Sequence, residues 1–426
     1  MNFDPTAKRK SAAHLSREPR QVRAEEALAK ISAAVISILA DEGPSSLTHR
    51  RVAQVARVPL ASTTYYYDTK FAMIADATGR LLQEYVHSFA TVAERHRAGN
   101  PVVPDLPSLI RKLLVNAAGR HGKMTLAWCE IMLDCARSQA GHLLARQWLE
   151  EMDKVWFELA TELDVEQAGE VVSQAIDTVM GLLVLTKSLD LSPAQILALL
   201  RDRCAFEAVI TPRPSQQGQA LDVAARSTSK PISTRSRILD SAVHILLSGE
   251  PGPLSYRAVA ERSGLTSAAV AYHFPTLAAL LEAAQRRLFG MFLDRYTEFL
   301  SITAKQHADS DTLTDLVNVI FVREMSEGGA IHLAALRIWL DASRNVALRP
   351  LVSDFTVKFV RQWAAWLETI GAPARHDYSL IALGHYIGKC IRLLSTGVAT
   401  RDLARARKGF MQTFQQFAQS KSPFAD

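Results

Sequence analysis

The side chains of this chain best suited to chemistry lie in two short segments. In the first, Thr48 and Arg50 are followed by the run Ser62, Thr63, Thr64, Tyr65 and Tyr66, and then by Lys70. In the second, Ser255, Tyr256 and Arg257 are followed by Thr266, Ser267, Ala269, Tyr272 and His273. Hydroxyls, guanidinium and ammonium groups donate to phosphate oxygens. The same hydroxyls, with aromatic rings and small apolar side chains, can reach base edges in a groove. A Gly-rich phosphate loop, carboxylates paired in a credible cleft and metal-ligand spacing are all missing from the sequence, so we expect no enzyme, no catalytic residue, no metal and no cofactor. The four cysteines, Cys129, Cys135, Cys204 and Cys390, have neither metal spacing nor a disulfide framework.

The elements that must position these residues read as helices. Ile31, Ala34, Val35, Ile38 and Leu39 share one face of a helix over 24–40. Gly43-Pro44 ends it, and Thr48 is placed to cap a short helix through Val55. A turn at Arg57-Val58 leads to a second short helix, which opens near Pro59 and ends around Tyr65 to Tyr67. A long helix starts near Thr69-Lys70 and runs to about Arg97. The same order then recurs. Residues 30–75 and 237–282 align without a gap, Lys30 with Arg237 and Tyr65 with Tyr272. The offset persists downstream, pairing Asp134 with Asp341, Arg137 with Arg344, Trp156 with Trp363, Ala175 with Ala382 and Gly181 with Gly388. So long a period means two whole domains in tandem rather than a solenoid.

Two short helices joined by a tight turn make a helix-turn-helix, whose second helix enters the major groove while the first crosses the backbone. Val52, Ala53 and Ala56, and in the second half Val259, Ala260 and Ser263, are small enough to pack the two helices together. Gly264 suits a left-handed turn position, where the first half has Arg57 at some cost in strain. We read Tyr67 and Phe274 as packing residues. For Tyr65 and Tyr272, packing and groove contact both stay open.

The runs Leu47-Thr48-His49-Arg50-Arg51-Val52-Ala53-Gln54-Val55-Ala56-Arg57-Val58-Pro59 and Leu60-Ala61-Ser62-Thr63-Thr64-Tyr65-Tyr66-Tyr67, with Lys70, resemble the DNA-binding signature of the TetR family of transcriptional regulators. The second half repeats the resemblance from Leu254 to Thr266 and at Tyr272-His273-Phe274. The resemblance implies an all-α chain of two tandem units. Each has an N-terminal three-helix DNA-binding domain and a C-terminal helical ligand-binding and dimerisation domain. The corresponding divisions are a basic disordered arm over 1–23, DNA-binding domains over 24–75 and 234–282, ligand and dimerisation domains over 76–210 and 283–420, and a linker over 211–233. It also implies that Thr48, Arg50 and Tyr66 contact phosphate or groove, that Ser62, Thr63, Thr64 and Tyr65 lie on the recognition helix, and that Lys70 meets a phosphate. Ser255, Tyr256, Arg257, Thr266, Ser267, Ala269, Tyr272 and His273 take these places in the second half. There the lysine position is Leu277, and Ala268, Ala269, Val270 and Ala271 offer few donors. The first half is therefore expected to read DNA more strongly.

Beyond the motifs only helical periodicity appears, over 105–119, 123–138, 141–163, 166–189 and 193–208, and over 311–326, 329–345, 347–370, 376–397 and 400–419. The resemblance implies a small-molecule pocket among these helices. Candidate lining residues are Trp128, Met132, Cys135 and Trp156, then His332, Leu336, Trp339 and Trp363, and an apolar or aromatic effector would suit them. Asp134 with Arg137, and Asp341 with Arg344, form surface ion pairs or anchor a helix junction. By the same resemblance the last two helices of each half, 166–208 and 376–419, would form a four-helix bundle. That gives a pseudo-two-fold monomer with two unequal heads, or alternatively a homodimer of chains.

The expected function is a ligand-responsive DNA-binding regulator, a repressor by resemblance. The alternative is a ligand- or partner-binding protein of the same fold that no longer reads DNA. Apolar residues make up 48% of the chain, enough for a core in each half. A net charge of +6 agrees with a polyanionic partner such as an operator in double-stranded DNA. We expect no apolar run near the ~18 residues of a membrane span and no membrane partner, which makes the cytoplasm the natural compartment.

Overall fold

The computed structural model describes residues 5–201, 206–210, 233–248, 254–303 and 309–419, with 5–21 and 297–303 described only as helix. The expected linker over 211–233 falls, but for Ser233, outside the described residues. Every regular element described is helical and none is a strand, so the chain is all-α.

The first half runs α1 (Pro5–Asp41), α2 (His49–Ala56), α3 (Leu60–Tyr66), α4 (Lys70–Arg97), α5 (Leu106–Ala118), α6 (Gly122–Cys135), α7 (Gln139–Glu162), α8 (Ala168–Ser188), α9 (Pro193–Leu200) and α10 (Phe206–Val209). The second runs α11 (Thr234–Ser248), α12 (Tyr256–Ser263), α13 (Ser267–His273), α14 (Leu277–Thr303), α15 (Ser310–Ser326), α16 (Gly329–Arg344), α17 (Arg349–Thr369), α18 (His376–Thr396) and α19 (Thr400–Ala418). The two orders correspond element by element until α9, where the single helix expected over 193–208 ends at Leu200 and α10 begins at Phe206.

The basic segment expected as a disordered arm is instead helical from Pro5 onward, as part of α1. Its Ala, Lys, Arg, Glu and Gln residues are good helix formers. Extending a helix already nucleated by the packed stretch around Ile31 to Leu39 needs no new nucleus. Pro19 lies within this extension and removes one backbone donor.

In each half the first three helices share a small core. Ile31, Val35, Ile38 and Leu39 of α1 bury against Val52, Ala53 and Ala56 of α2, and Tyr67 closes the base. The counterparts are Ile238, Ala242 and Val243 of α11, Val259 and Ala260 of α12, and Phe274.

The halves meet along α8 and α18, which cross backbone to backbone. A Cβ on Gly181 would lie 1.9 Å from the Gly384 carbonyl oxygen, and one on Gly388 would lie 1.6 Å from that of Asp177. No residue but glycine fits at either point. The expected four-helix bundle therefore takes a different form. Helices α8 and α18 are its centre, while α9 packs chiefly on α5 and α19 on α15 within their own halves. Helix α8 also corrects the expectation that no segment approaches a membrane span: it is long and apolar enough, with a mean hydropathy of 1.4. Most of it is buried inside the protein, and the crossing with α18 accounts for its apolar character.

Candidate nucleic-acid interface and the junction between the repeats

Backbone chemistry fixes the two candidate segments. The Thr48 hydroxyl accepts from the Arg51 N–H at 3.1 Å and starts α2, and Ser255 does the same for Ala258 at 3.2 Å to start α12. Both turns pass through left-handed backbone, Arg57 at φ 56° and Gly264 at φ 65°. Thr266 caps α13 through the Ala269 N–H at 3.1 Å, whereas α3 follows Pro59 with no side-chain cap.

The side chains on these helices divide into two groups. Tyr65 is 78% exposed and Tyr272, its equivalent, 84%. Each ring packs edge-on against its neighbour, Tyr65 on Tyr66 at 5.1 Å and Tyr272 on His273 at 5.4 Å. Thr48, Arg50, Thr64, Arg257, Thr266 and Ser267 are also exposed, and Ser62, Ser255, Ala269 and His273 are half-buried. Arg257 pairs with Glu261 at 2.8 Å on the helix surface.

Three expected contact residues are turned to structural work. Thr63 is fully buried, and its hydroxyl donates to the Leu60 carbonyl at 2.9 Å, as a helix-borne hydroxyl facing the core must. The Lys70 ammonium donates to the Pro44 carbonyl and holds the turn between α1 and α2, and burial pulls its pKa down. Tyr256 donates through its hydroxyl to the Phe274 carbonyl at 2.8 Å, tying α12 to the end of α13.

The eight residues expected around a ligand pocket are buried and packed as core. Trp128 leans on Trp148 at 6.3 Å, and Trp156 donates to the Tyr85 hydroxyl. Trp339 meets Phe355 at 5.6 Å, Trp363 meets Tyr386 at 6.2 Å, and His332 lies 5.3 Å from Phe292. Burial holds His332 down to about 3, so its ring is neutral. Met132, Cys135 and Leu336 fill the same cores. A cavity lies elsewhere, between the ends of α6 and α11 and the start of α16, and none of the eight lines it. Among the described residues no three His, Cys, Asp or Glu side chains gather in a way that could hold a metal ion.

The repeats are joined by ion pairs that a symmetric dimer would not have. Asp177 of α8 is buried and pairs with Arg392 at 2.6 Å and Lys389 at 3.1 Å, both on α18. Arg392 also reaches Asp153 of α7 at 3.3 Å. Burial opposes ionisation of Asp177, but the Arg392 and Lys389 cations override it and hold the carboxyl down to about 2. The residues equivalent to Asp177, Lys389 and Arg392 are Gly384, Leu182 and Leu185, so the network has no mate on the other side.

A second set joins α6 to α16. Arg344 bridges buried Glu130 and Asp341, the latter at 3.0 Å, and Arg337 reaches Asp134 at 3.4 Å. Burial pushes the Glu130 carboxyl up to about 7 against the pull of Arg344. Of the two roles open to the Asp134/Arg137 and Asp341/Arg344 pairs, the second pair is thus part of a helix junction. The sequence carries a signal for these networks, apolar helical stretches interrupted by single charges at unequal positions of the repeat.

Compared with known families and with curated proteins, the chain matches no family model and no curated protein.

Proposed function

We propose that this chain is a DNA-binding transcriptional regulator in which both reading heads belong to one polypeptide. The observation that carries this reading is the pair Tyr65 and Tyr272. A large aromatic residue exposed by 78% and 84% at equivalent positions gives up apolar burial twice over, although its neighbours Tyr67 and Phe274 are buried. In each head the preceding short helix carries an exposed arginine, Arg50 or Arg257, in its first turn. This is the arrangement a helix-turn-helix needs to hold phosphates and read a groove. The resemblance to the TetR family supports the same reading, and with it a repressor whose operator affinity responds to a small molecule.

The unequal network at the α8–α18 crossing supports an intramolecular pseudo-dimer. Pairing two first halves would bury Asp177 against leucines, and pairing two second halves would bury Lys389 and Arg392 against glycine and each other. Each would leave an uncompensated buried charge, which costs about 3–5 kcal/mol. The heads of such a monomer need not see identical half-sites.

The test is the salt dependence of binding to duplex DNA. With ~6 phosphates neutralised, log K against log salt falls with a slope of about −5. A flat response contradicts DNA reading and favours a ligand- or partner-binding protein. That alternative draws on the alanine-rich α13, where Ala268, Ala269 and Ala271 offer no donors.

A further inference from the structure

The two heads are not attached to the body in the same way. At the first head, Arg344 donates to the Leu39 and Ala40 carbonyls at the end of α1, at 3.4 and 3.3 Å, while its guanidinium is held by the buried Glu130 carboxylate. Lys123 adds a tether to Asp41 at 2.8 Å. Helix α1 also packs along α6, whereas α11 meets α16 over a shorter stretch.

At the second head the arginine is kept but its carboxylate partner and the lysine tether are not. The residues equivalent to Leu39 and Ala40 are Leu246 and Leu247, and those equivalent to Lys123 and Asp41 are Ala330 and Ser248. Arg137 is the equivalent of Arg344, but the equivalent of Glu130 is Arg337. A carboxylate has become a second guanidinium. Arg137 stands 4.0 Å from Asp134 and makes no hydrogen bond to α11 among the described residues. Burial, and then the Arg337 cation, pull the Arg137 pKa below its ordinary value. The Arg337 Nε is buried without a partner, while its Nη2 donates to the Leu133 carbonyl at 3.1 Å and reaches Asp134 at 3.4 Å, so one carboxylate, Asp134, faces two guanidiniums. Into this gap opens a cavity of about 330 Å³, lined by Arg137, Arg337, Leu246, Leu333 and Leu394.

We propose that the cavity binds a small amphipathic carboxylate. Its acid group takes, between Arg137 and Arg337, the place that the Glu130 carboxylate takes beside Arg344, and its apolar body lies against Leu246, Leu333 and Leu394. A carboxylate accepting from two guanidiniums makes strong, charge-assisted bonds, and here Arg337 is part-buried while Arg137 is more exposed. Once neutralised, Arg137 can turn to the α11 carbonyls as Arg344 does to those of α1. The acid thus fixes the second head, while the first is fixed by the protein's own Glu130. The effect on operator binding rests on the DNA reading proposed above; the binding of the acid does not.

Calorimetry on the full chain without DNA tests the site, with octanoate as probe and octanol as its neutral analogue. One octanoate should bind per chain, with octanol at least about tenfold weaker, because two charge-assisted bonds are lost. Arg337→Glu supplies the missing carboxylate internally and should abolish octanoate binding. Should that variant not fold by circular dichroism, Arg137→Ala carries the test and should weaken octanoate by about tenfold or more. In hydrogen exchange, octanoate should slow the amides of residues 244–248 and leave those of 38–42 unchanged. No octanoate binding, equal affinity for octanol, or full affinity in folded Arg337→Glu or in Arg137→Ala would overturn the proposal. Because no DNA is present, these outcomes do not depend on whether the chain reads an operator.

Discussion

Thr178 Oγ1 lies 3.3 Å from Nδ1 of His385, and the two residues hold the same position in the two repeats, 207 residues apart. A residue meets its own equivalent only at a two-fold axis, as in an isologous dimer. Here the axis lies inside one chain, and the residues on it have diverged to threonine and histidine. Gly181 and Gly388 flank the same axis as an identical pair. The fused chain therefore keeps the contact geometry of a homodimer while its residues specify an unlike pairing.

The crossing should tolerate no side chain. Gly388→Ala or Gly181→Ala should lower stability by about 1–3 kcal/mol or more, because a new Cβ meets backbone that cannot move aside. Gly79→Ala, in α4 with nothing within 4 Å of its Cβ, is the control. It should be stabilising by up to about 1 kcal/mol. Urea unfolding of the three variants checks the difference, and equal behaviour would contradict the close approach.

Acid should loosen the junction in two stages. Burial holds His385 down to about 3 from 6.5, so its contribution is fully present above pH 6.5 and is lost as pH falls toward 3. Asp177 is held down to about 2 from 3.8, so its contribution is fully present above about pH 4 and is lost toward pH 2. Asp177→Asn should cost about 3 kcal/mol or more at pH 7 by stranding Lys389 and leaving Arg392 with Asp153 alone. Its deficit against the parent should shrink between pH 4 and pH 2. A deficit independent of pH over that range would show that the carboxylate is not what pairs the helices.

The two turns should respond oppositely to exchange. Arg57 occupies left-handed backbone at φ 56°, so Arg57→Gly should stabilise the chain by about 0.5–1 kcal/mol. Gly264→Ala, at φ 65°, should destabilise it by about 1 kcal/mol. Thermal unfolding gives both signs, and the same sign for the pair would contradict the account of the turns.

The exposed face should matter for binding and not for folding. Tyr65→Ala and Tyr272→Ala should leave stability within about 0.5 kcal/mol, since both rings face solvent. Each should weaken duplex DNA binding. Arg50→Ala should weaken it more than Arg257→Ala, because Arg257 already pairs with Glu261. Equal losses would remove the asymmetry between heads. Lys70→Ala should lower stability as well as affinity, since its ammonium holds the Pro44 carbonyl.

The sequence made the repeat and most helices legible because periodic apolar faces and cap residues are local signals. Thr48, Ser255 and Gly264 mark their turns as expected, and Ile31 to Leu39 mark the buried face of α1. The inward turn of Thr63 and the bond from Lys70 to Pro44 leave no local signal. Which side of a seven-residue helix faces inward, and whether a lysine at a helix start turns toward a turn carbonyl, depend on how α1 packs over both. The junction was legible only in hindsight of packing. Glu130 against Arg337 is a single difference between aligned repeats, and it gains meaning only once Arg344 is seen to cross from the other half. The ligand residues were placed by helical spacing, which marks a core as readily as a pocket.

The most direct test of the central claim is selection of binding sites from a random duplex pool by the purified full-length chain. The account predicts one enriched site with two unequal half-sites, about 10 base pairs apart from centre to centre or a multiple of that, bound by a single chain of 46.9 kDa. A perfect palindrome bound by two chains would contradict the intramolecular pseudo-dimer, and no enrichment at low salt would contradict DNA reading itself.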